Sequence, residues 1–416
     1  MSLQTSMSMQ GVVAREARFG AKNYAPLPVV LVKGTGAHLF DASGRRYIDM
    51  MSAYSAANFG HLHPRLVRAM KRQLDRLDII SRAYHSDNLG LLCEDLAELT
   101  GLEACLPMNT GAEAVETAIK AARRYGYDRL SIPEGEAKII VAAGNFHGRT
   151  TTIVGFSSEP SYRRGFGPFA PGFVTVPFGD ADAVEAAIGP CTAAVLIEPV
   201  QGEAGIIVPP KGYLANLRRI CDRHGILLIL DEVQSGFGRT GRNFCFEHEN
   251  ARPDGLILGK ALGGGLIPVS AFLARRTVMD VFEPGSHGST FGGNPLAAAV
   301  AREAIQVLQD EDLALRSHVL GKTLLSALAG IDHPAIVEVR GKGLWVGVEL
   351  DPARAGAKSV CLAMMRRGVL TKETHETVLR FAPPLVIDEA DLLAAVEVFH
   401  DALEETAPSH SVSCVE

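Results

Sequence analysis

Two short apolar runs constrain this chain most. Ile226 to Leu230 leads into Asp231, and Leu256 to Leu258, followed by Gly259, leads into Lys260. Runs this short and this uniformly apolar fit parallel strands buried on both faces, and a sheet of such strands carries its chemistry at their carboxyl ends. Asp231 and Lys260 are therefore expected to face one crevice. A lysine held out of water loses part of its preference for the charged form, so its amine can form a Schiff base with an aldehyde. A fixed carboxylate can keep a pyridine nitrogen protonated. These are the two groups that pyridoxal phosphate requires. Taken singly, each has a plainer reading, because most lysines beyond a strand lay their stems along apolar surface and most aspartates there cap the next turn.

The same pattern recurs along the chain. From about residue 55 to 312, helical stretches alternate with apolar runs at Lys138 to Ala142, Phe173 to Val176, Ala193 to Ile197, Ile226 to Leu230, Leu256 to Leu258 and Val269 to Ala274. That alternation predicts an α/β fold with a mostly parallel sheet covered by helices. Ahead of it, Val30 to Val32 and Ala37 to Phe40 bracket a Gly-Thr-Gly turn and predict a small antiparallel element feeding Tyr47 to Asp49. Behind it, Val337 to Arg340, Leu344 to Leu350, Val378 to Arg380 and an amphipathic helix after Asp388 predict a smaller α+β unit. The expected division is an N-terminal segment (1–54), a large domain (55–312) and a small C-terminal domain (313–416), and 416 residues suffice for that number of units.

Charge and cysteines narrow the function. With a net charge of −6 and no dense run of Lys or Arg, the chain is not expected to bind nucleic acid. Seven scattered cysteines without a Cys-x-x-Cys spacing fit a reducing cytoplasm. Residues 1–10 read as a frayed leader, not a secretory signal, and no stretch reaches the length of a membrane span.

Asn109-Thr110-Gly111-Ala112-Glu113 has the spacing of a capping box, and Gly111 leaves room for an anion at the free N–H groups of a helix start. Three other patterns carry less. Gly236-Phe237-Gly238-Arg239-Thr240-Gly241 fits G-x-G-x-x-G, but the strand-like Arg242 to Phe246 follows where a dinucleotide site needs a helix, so a nicotinamide oxidoreductase has little support. Gly255 to Lys260 is one residue short of a Walker spacing, and Ala261 has no hydroxyl for magnesium. His61 and His63 read as structural, and no metal is expected, because nothing nearby completes a ligand set.

Around the strand-end pair stand Leu230-Asp231-Glu232-Val233-Gln234-Ser235-Gly236-Phe237-Gly238-Arg239-Thr240-Gly241 and Gly259-Lys260-Ala261-Leu262-Gly263-Gly264-Gly265. Elsewhere stand Asn23 to Pro28, Pro107 to Glu113, Ala143-Gly144-Asn145-Phe146-His147-Gly148-Arg149-Thr150, Glu198 to Gly205, His287 to Pro295 and Arg380 to Leu385. In these blocks, in this order over nearly the whole chain, the sequence resembles the class III aminotransferases of the type I pyridoxal phosphate fold. Within that family it is most similar to the ornithine aminotransferase branch.

The resemblance implies roles residue by residue. Lys260 is the catalytic lysine and Asp231 the partner of the pyridine nitrogen. Gly111 and Ala112 bind the cofactor phosphate through their backbones, joined by Ser289 and Thr290 of a partner subunit, which makes the chain a homodimer with active sites at the interface. Phe146 and Val233 flank the pyridine ring, and Gln234 reaches its phenolic oxygen. Arg149 with Tyr54 holds the α-carboxylate of ornithine, while Arg380 pairs with Glu203 until an α-amino acid arrives. A 2-oxo acid, 2-oxoglutarate, then accepts the amino group in a ping-pong cycle whose aldehyde product, glutamate 5-semialdehyde, cyclises to pyrroline-5-carboxylate. N-acetylornithine, 4-aminobutyrate, lysine or another diamine are the alternative donors; a binding-only relative would be expected to lack Lys260 or Asp231.

One position departs from the branch. In Ser81-Arg82-Ala83-Tyr84-His85-Ser86, His85 stands where the branch usually has its specificity tyrosine. A smaller, titratable ring there is expected to weaken discrimination among donors in a pH-dependent way, unless His85 fills similar space or Tyr84 takes over.

Overall fold

Three N-terminal strands, β1 (Leu31–Thr35), β2 (His38–Asp41) and β3 (Arg46–Asp49), pair antiparallel in the computed structural model, which describes residues 9–406. The central sheet follows, with β4 (Ala104–Met108), β5 (Lys138–Ala142), β6 (Phe173–Val176), β7 (Thr192–Ile197), β8 (Leu227–Asp231), β9 (Gly255–Leu258) and β10 (Ser270–Ala274). Its order is β4-β10-β9-β8-β7-β5-β6. The run from β6 to β9 is parallel, and β10 alone runs antiparallel, between β9 and β4. The mostly parallel α/β sheet read from the sequence is thus present.

Its apolar runs are buried on both faces, and the strand pleat sorts them. Leu228 and Leu230 join one core cluster with Ile140, Val195, Ile197, Leu256 and Leu258. Leu227 and Ile229 point the other way, into a second cluster with Ile139, Val141, Leu196 and Ile257 under the helix Gly111–Arg129. Successive side chains on a strand face opposite sides, so a two-sided cover demands an apolar residue at every position.

The last sheet comprises β11 (Ile336–Gly341), β12 (Val346–Leu350), β14 (Glu373–Thr374) and β15 (Val378–Phe381), all antiparallel. Between them in sequence, β13 (Val369–Leu370) pairs in parallel with β3, so the N-terminal strands are completed by a strand from the C-terminal part. The helix Glu389–Thr406 closes the described chain.

Several local expectations change. The strand β4 is absent from the apolar runs read in the sequence; it contains Pro107 and lies at the sheet edge, the place in a sheet that tolerates proline. Residues 9 and 10 of the expected leader begin an exposed helix, Met9–Phe19; residues 1–8 and Cys414 lie outside the described chain. Arg242 to Phe246 is not a strand, and a 3₁₀ turn starts at Cys245. The buried Glu232 carboxylate accepts N–H bonds from Cys245 and Phe246 there, satisfying the backbone without a neighbouring strand. The preceding glycines serve close packing. A Cβ on Gly238 would lie 2.9 Å from Leu385, and one on Gly241 3.1 Å from His318.

Arg239, inside that glycine-rich run, is fully buried. Its guanidinium donates to the carbonyls of Leu344 (2.7 Å) and Pro383 (2.8 Å), to Ser52 Oγ (3.0 Å) and to Asn58 Oδ1. Ser52 begins a left-handed turn in which four consecutive non-glycine residues, Ser52 to Ser55, have positive φ. Such a turn strains every residue and persists only where its surroundings over-determine it. Asp49 Oδ1 accepts the N–H groups of Met51 and Ser52, and Ser52 Oγ donates to the Ala382 carbonyl, so Arg239 and Asp49 hold the turn from two sides. Replacing Arg239 by leucine orphans these acceptors and is expected to cost about 3 kcal/mol of stability. Denaturant unfolding followed by circular dichroism, with a clear fall in the midpoint, checks this; an unchanged midpoint contradicts it.

Candidate active site

Parallel strands bring their carboxyl ends to one rim, and the segments that follow β5, β7, β8 and β9 line a cavity of about 180 Å³ there. Lys260, Asp231, Gly111, Ala112, Phe146, Val233 and Gln234 all line it. Asp231 is the last residue of β8 and is paired with Ile257 of β9, three residues before Lys260. The crevice expected from the two apolar runs is therefore formed.

Lys260 opens a 3₁₀ turn with φ of 44°, a left-handed conformation that a lysine adopts at some cost. Among the described residues no hydrogen bond or ion pair engages its amine. Burial pushes the ammonium below the usual lysine range, against the pull of the Glu203 and Asp231 carboxylates. An amine shifted in this direction and left without a partner is readier to attack a carbonyl.

Asp231 is buried and tied at both oxygens. Oδ2 lies 2.7 Å from His147 Nδ1, and Oδ1 accepts the Val233 N–H at 3.0 Å. With the carboxylate ionised, Nδ1–H is the donor. Burial is the largest influence and acts to lower the His147 pKa, but the bond to Asp231 and the charges of Asp231 and Glu198 together outweigh it and hold the imidazole above its ordinary value. Behind the pair, Glu198 accepts the Phe146 N–H at 2.8 Å and is pushed up by burial to about 7. Glu198 thereby fixes the loop that carries both Phe146 and His147.

The helix Gly111–Arg129 points its first turn at the cavity. Thr110 Oγ1 accepts the Glu113 N–H (3.2 Å), and Glu113 Oε2 accepts those of Thr110 (2.8 Å) and Asn109 (2.9 Å), completing the capping box. These bonds leave the N–H groups of Gly111 and Ala112 for a ligand. A Cβ on Gly111 would sit 3.0 Å from Val233 Cγ1, so the helix start and the β8 loop are in contact.

Two arginines near the cavity are in different states; neither they nor Tyr54 and Glu203 are among its lining residues. Arg380, buried on β15, forms a two-pronged ion pair with Glu203, both N···O distances being 2.8 Å, and its guanidinium lies 5.0 Å from the ring centre of Tyr54, on the left-handed turn. Burial acts most strongly and would raise the Glu203 pKa, yet the Arg380 guanidinium together with the charges of Lys260 and Arg149 outweighs it and holds the carboxyl below its usual range. Arg149 is exposed and has no acidic partner among the described residues. Its guanidinium lies 3.7 Å from the ring centre of Tyr162 and 5.3 Å from that of Phe146.

The remaining expected residues stand elsewhere. His85, Ser289 and Thr290 do not line the cavity. Ser289 Oγ accepts a bond from Asn109 Nδ2 at 2.8 Å, and with Thr290 it borders a separate depression floored by Ile79 to Arg82; His85 lies exposed on the turn just beyond. His61 is bonded to Asp49 at 2.7 Å, and no cluster of three or more metal-type ligands occurs among the described residues.

His147, Glu198 and Tyr162 escaped the sequence reading as site residues. The first two lie inside motif blocks already noted, and a buried polar residue beside a strand end was the available signal. Tyr162 had none, because only the fold brings it to Arg149.

The geometry suits pyridoxal phosphate: free helix-start N–H groups for its phosphate, Phe146 and Val233 as apolar walls, an anchored carboxylate for its nitrogen, and an unengaged amine for its aldehyde.

Residues 19–403 match the class-III aminotransferase family. The ornithine aminotransferase 2 of Staphylococcus saprophyticus is 54% identical over 386 residues, which cover 93% of this chain and 97% of that protein. Among solved structures, an ornithine aminotransferase from Toxoplasma gondii, with pyridoxal phosphate at partial occupancy in its active site, superposes with a TM-score of 0.95 at 41% identity, covering 97% of this chain and 95% of that one. The acetylornithine aminotransferase of Elizabethkingia anophelis superposes with a TM-score of 0.86 at 42% identity, covering 95% and 99% of the two chains.

A lowered lysine pKa in a cavity gives a direct chemical test. Treatment with pyridoxal phosphate at neutral pH followed by borohydride should fix close to one equivalent of the reagent at Lys260, located by peptide mass spectrometry, and Lys260→Ala should lose that label. Labelling spread evenly over surface lysines would contradict the assignment.

Proposed function

The chain belongs to the class-III aminotransferase family, and from that membership we propose that it moves the δ-amino group of L-ornithine to 2-oxoglutarate. The products are glutamate and glutamate 5-semialdehyde, which cyclises to pyrroline-5-carboxylate. The enzyme is an aminotransferase of the type I fold, and pyridoxal phosphate is the cofactor in this reading. When bound, pyridoxal phosphate supplies the aldehyde that takes up the donor amine and the ring that accepts an electron pair from the bond being broken.

The chain's residues do the rest. Gly111 and Ala112 hold the phosphate through their N–H groups. Phe146 and Val233 would confine the ring, Gln234 would bond its phenolic oxygen, and Asp231, steadied by His147, would keep its nitrogen protonated. Lys260 would hold the aldehyde through Nζ, and the same Nζ, when free, would take the proton from the donor carbon and return it as general acid. Ser289 and Thr290 reach the phosphate of a second copy, so the working unit is a homodimer with sites at the interface, and His85 accompanies them toward the donor. Free thiols on all six described cysteines support a cytoplasmic enzyme; no helix among the described residues is long and apolar enough to cross a membrane.

One observation carries the donor assignment: of two guanidinium groups near the cavity, Arg149 is open and Arg380 is closed by Glu203. A donor that enters amine-first at its far end needs one carboxylate receptor, here Arg149 aided by Tyr54. The acceptor 2-oxoglutarate carries two carboxylates and needs both arginines, so Glu203 must release Arg380 in the second half-reaction. N-acetylornithine is the second reading, supported by the likeness to the acetylornithine enzyme.

A donor comparison with 2-oxoglutarate as acceptor, reading aldehyde and glutamate together, tests the assignment. Ornithine should exceed N-acetylornithine, 4-aminobutyrate and lysine in kcat/KM by about tenfold or more; a lead for N-acetylornithine would overturn it. In Glu203→Gln the ion pair is lost and Arg380 is open in both half-reactions. The rate with glutamate relative to ornithine should then rise by about tenfold. Single-turnover measurements check this, and an unmoved ratio means that Glu203 is no switch.

A further inference from the structure

Arg149 is open, yet it is not loose. An exposed arginine ordinarily samples many rotamers and loses them on binding a ligand. Here its guanidinium is stacked on Tyr162, 3.7 Å from the ring centre, with Phe146 on a second side at 5.3 Å. The two rings also meet edge to face, 5.9 Å apart at 80°. Tyr162 is itself fixed. It lies on the turn Pro160–Arg163, where Glu159 Oε1 accepts the Ser161 N–H at 3.1 Å and Arg163 Nη1 donates to the Ser157 carbonyl. The carboxylates of Glu159 and Glu203 both feel the Arg149 charge, but neither forms an ion pair with it.

A guanidinium stacked by its face keeps its N–H edge free, and that edge matches a carboxylate two bonds at a time. Stacking therefore aims the receptor without occupying it. Because Phe146 also walls the cofactor cavity, the same contact sets the distance between the carboxylate receptor and the site of amine chemistry. We propose that Tyr162 is a positioning residue for donor recognition: its ring holds Arg149 as the receptor for the donor's α-carboxylate and so sets the preference for amines that carry that group. The role rests on the reading of Arg149 given above. It requires the ring of Tyr162 and not its hydroxyl.

The test compares Tyr162→Leu with Tyr162→Phe in the cofactor-loaded enzyme. Pentanoate, the carbon skeleton of ornithine without its amines, is the binding probe, and 1,4-diaminobutane, ornithine without its carboxylate, is the control donor. Calorimetry should show pentanoate binding about tenfold weaker in Tyr162→Leu, the loss expected from removing a cation–ring contact, and nearly unchanged in Tyr162→Phe. KM for ornithine should rise by a similar factor in Tyr162→Leu with kcat little affected. Rates with 1,4-diaminobutane and the visible absorbance of the cofactor should stay as in the unsubstituted enzyme. Unchanged pentanoate binding in Tyr162→Leu overturns the proposal, as does an equal loss with 1,4-diaminobutane or an equal loss in Tyr162→Phe. Failure of the ornithine assignment shows separately, as poor ornithine turnover by the unsubstituted enzyme, whereas Tyr162 is judged on the ratio of variant to unsubstituted affinity for pentanoate.

Discussion

A carboxylate at the end of a wholly apolar strand is stable only where its charge is answered in place. Asp231 is answered twice, by His147 at 2.7 Å on one oxygen and by the Val233 N–H on the other. Desolvating a charge costs several kcal/mol unless partners of good geometry replace the water. The loops around Asp231 follow from that demand. His147 must be buried beside it, the chain after β5 must turn back over the sheet to bring it there, and Glu198 secures that turn through the Phe146 N–H. Lys260, at the end of the adjoining strand, inherits a dry site near two carboxylates without contacting either.

The surroundings of the cavity apply the same electrostatics with the opposite emphasis. Arg380 and Glu203 neutralise one another where burial would penalise either alone. Arg149, nearer to water, needs no counter-ion and is positioned by aromatic faces instead. One guanidinium is thus held by an opposite charge, and the other is left without one. Backbone strain gathers at the same place. Lys260 and the turn that carries Tyr54 both hold left-handed conformations, maintained by buried contacts such as those of Arg239.

Much of this could be read from the residues alone. The strands of the central sheet were legible because a strand covered on both faces must be apolar at every position, and that leaves short apolar runs alternating with helical stretches. The helix start at Thr110 was legible because a capping box is a local pairing of neighbours. The failures were of another kind. At β4, Pro107 contradicts a central strand but not an edge strand, and edge position is a property of the assembled sheet. Arg242 to Phe246 has strand-like composition, yet the carboxylate that captures its N–H groups comes from Glu232, ten residues before Arg242.

By itself, the sequence determined the α/β alternation, the apolar strands, and the delivery of Asp231 and Lys260 each to the end of its own strand, because each depends on periodicity and on residues close in the chain. Only the tertiary structure decided which groups surround that pair. His147 meets Asp231 from 84 positions away, Glu203 meets Arg380 from 177, and Tyr162 comes under Arg149 through a turn with no pattern of its own. Contacts between distant residues are set by how layers pack and loops close over them, and they depend on the closed fold for their geometry.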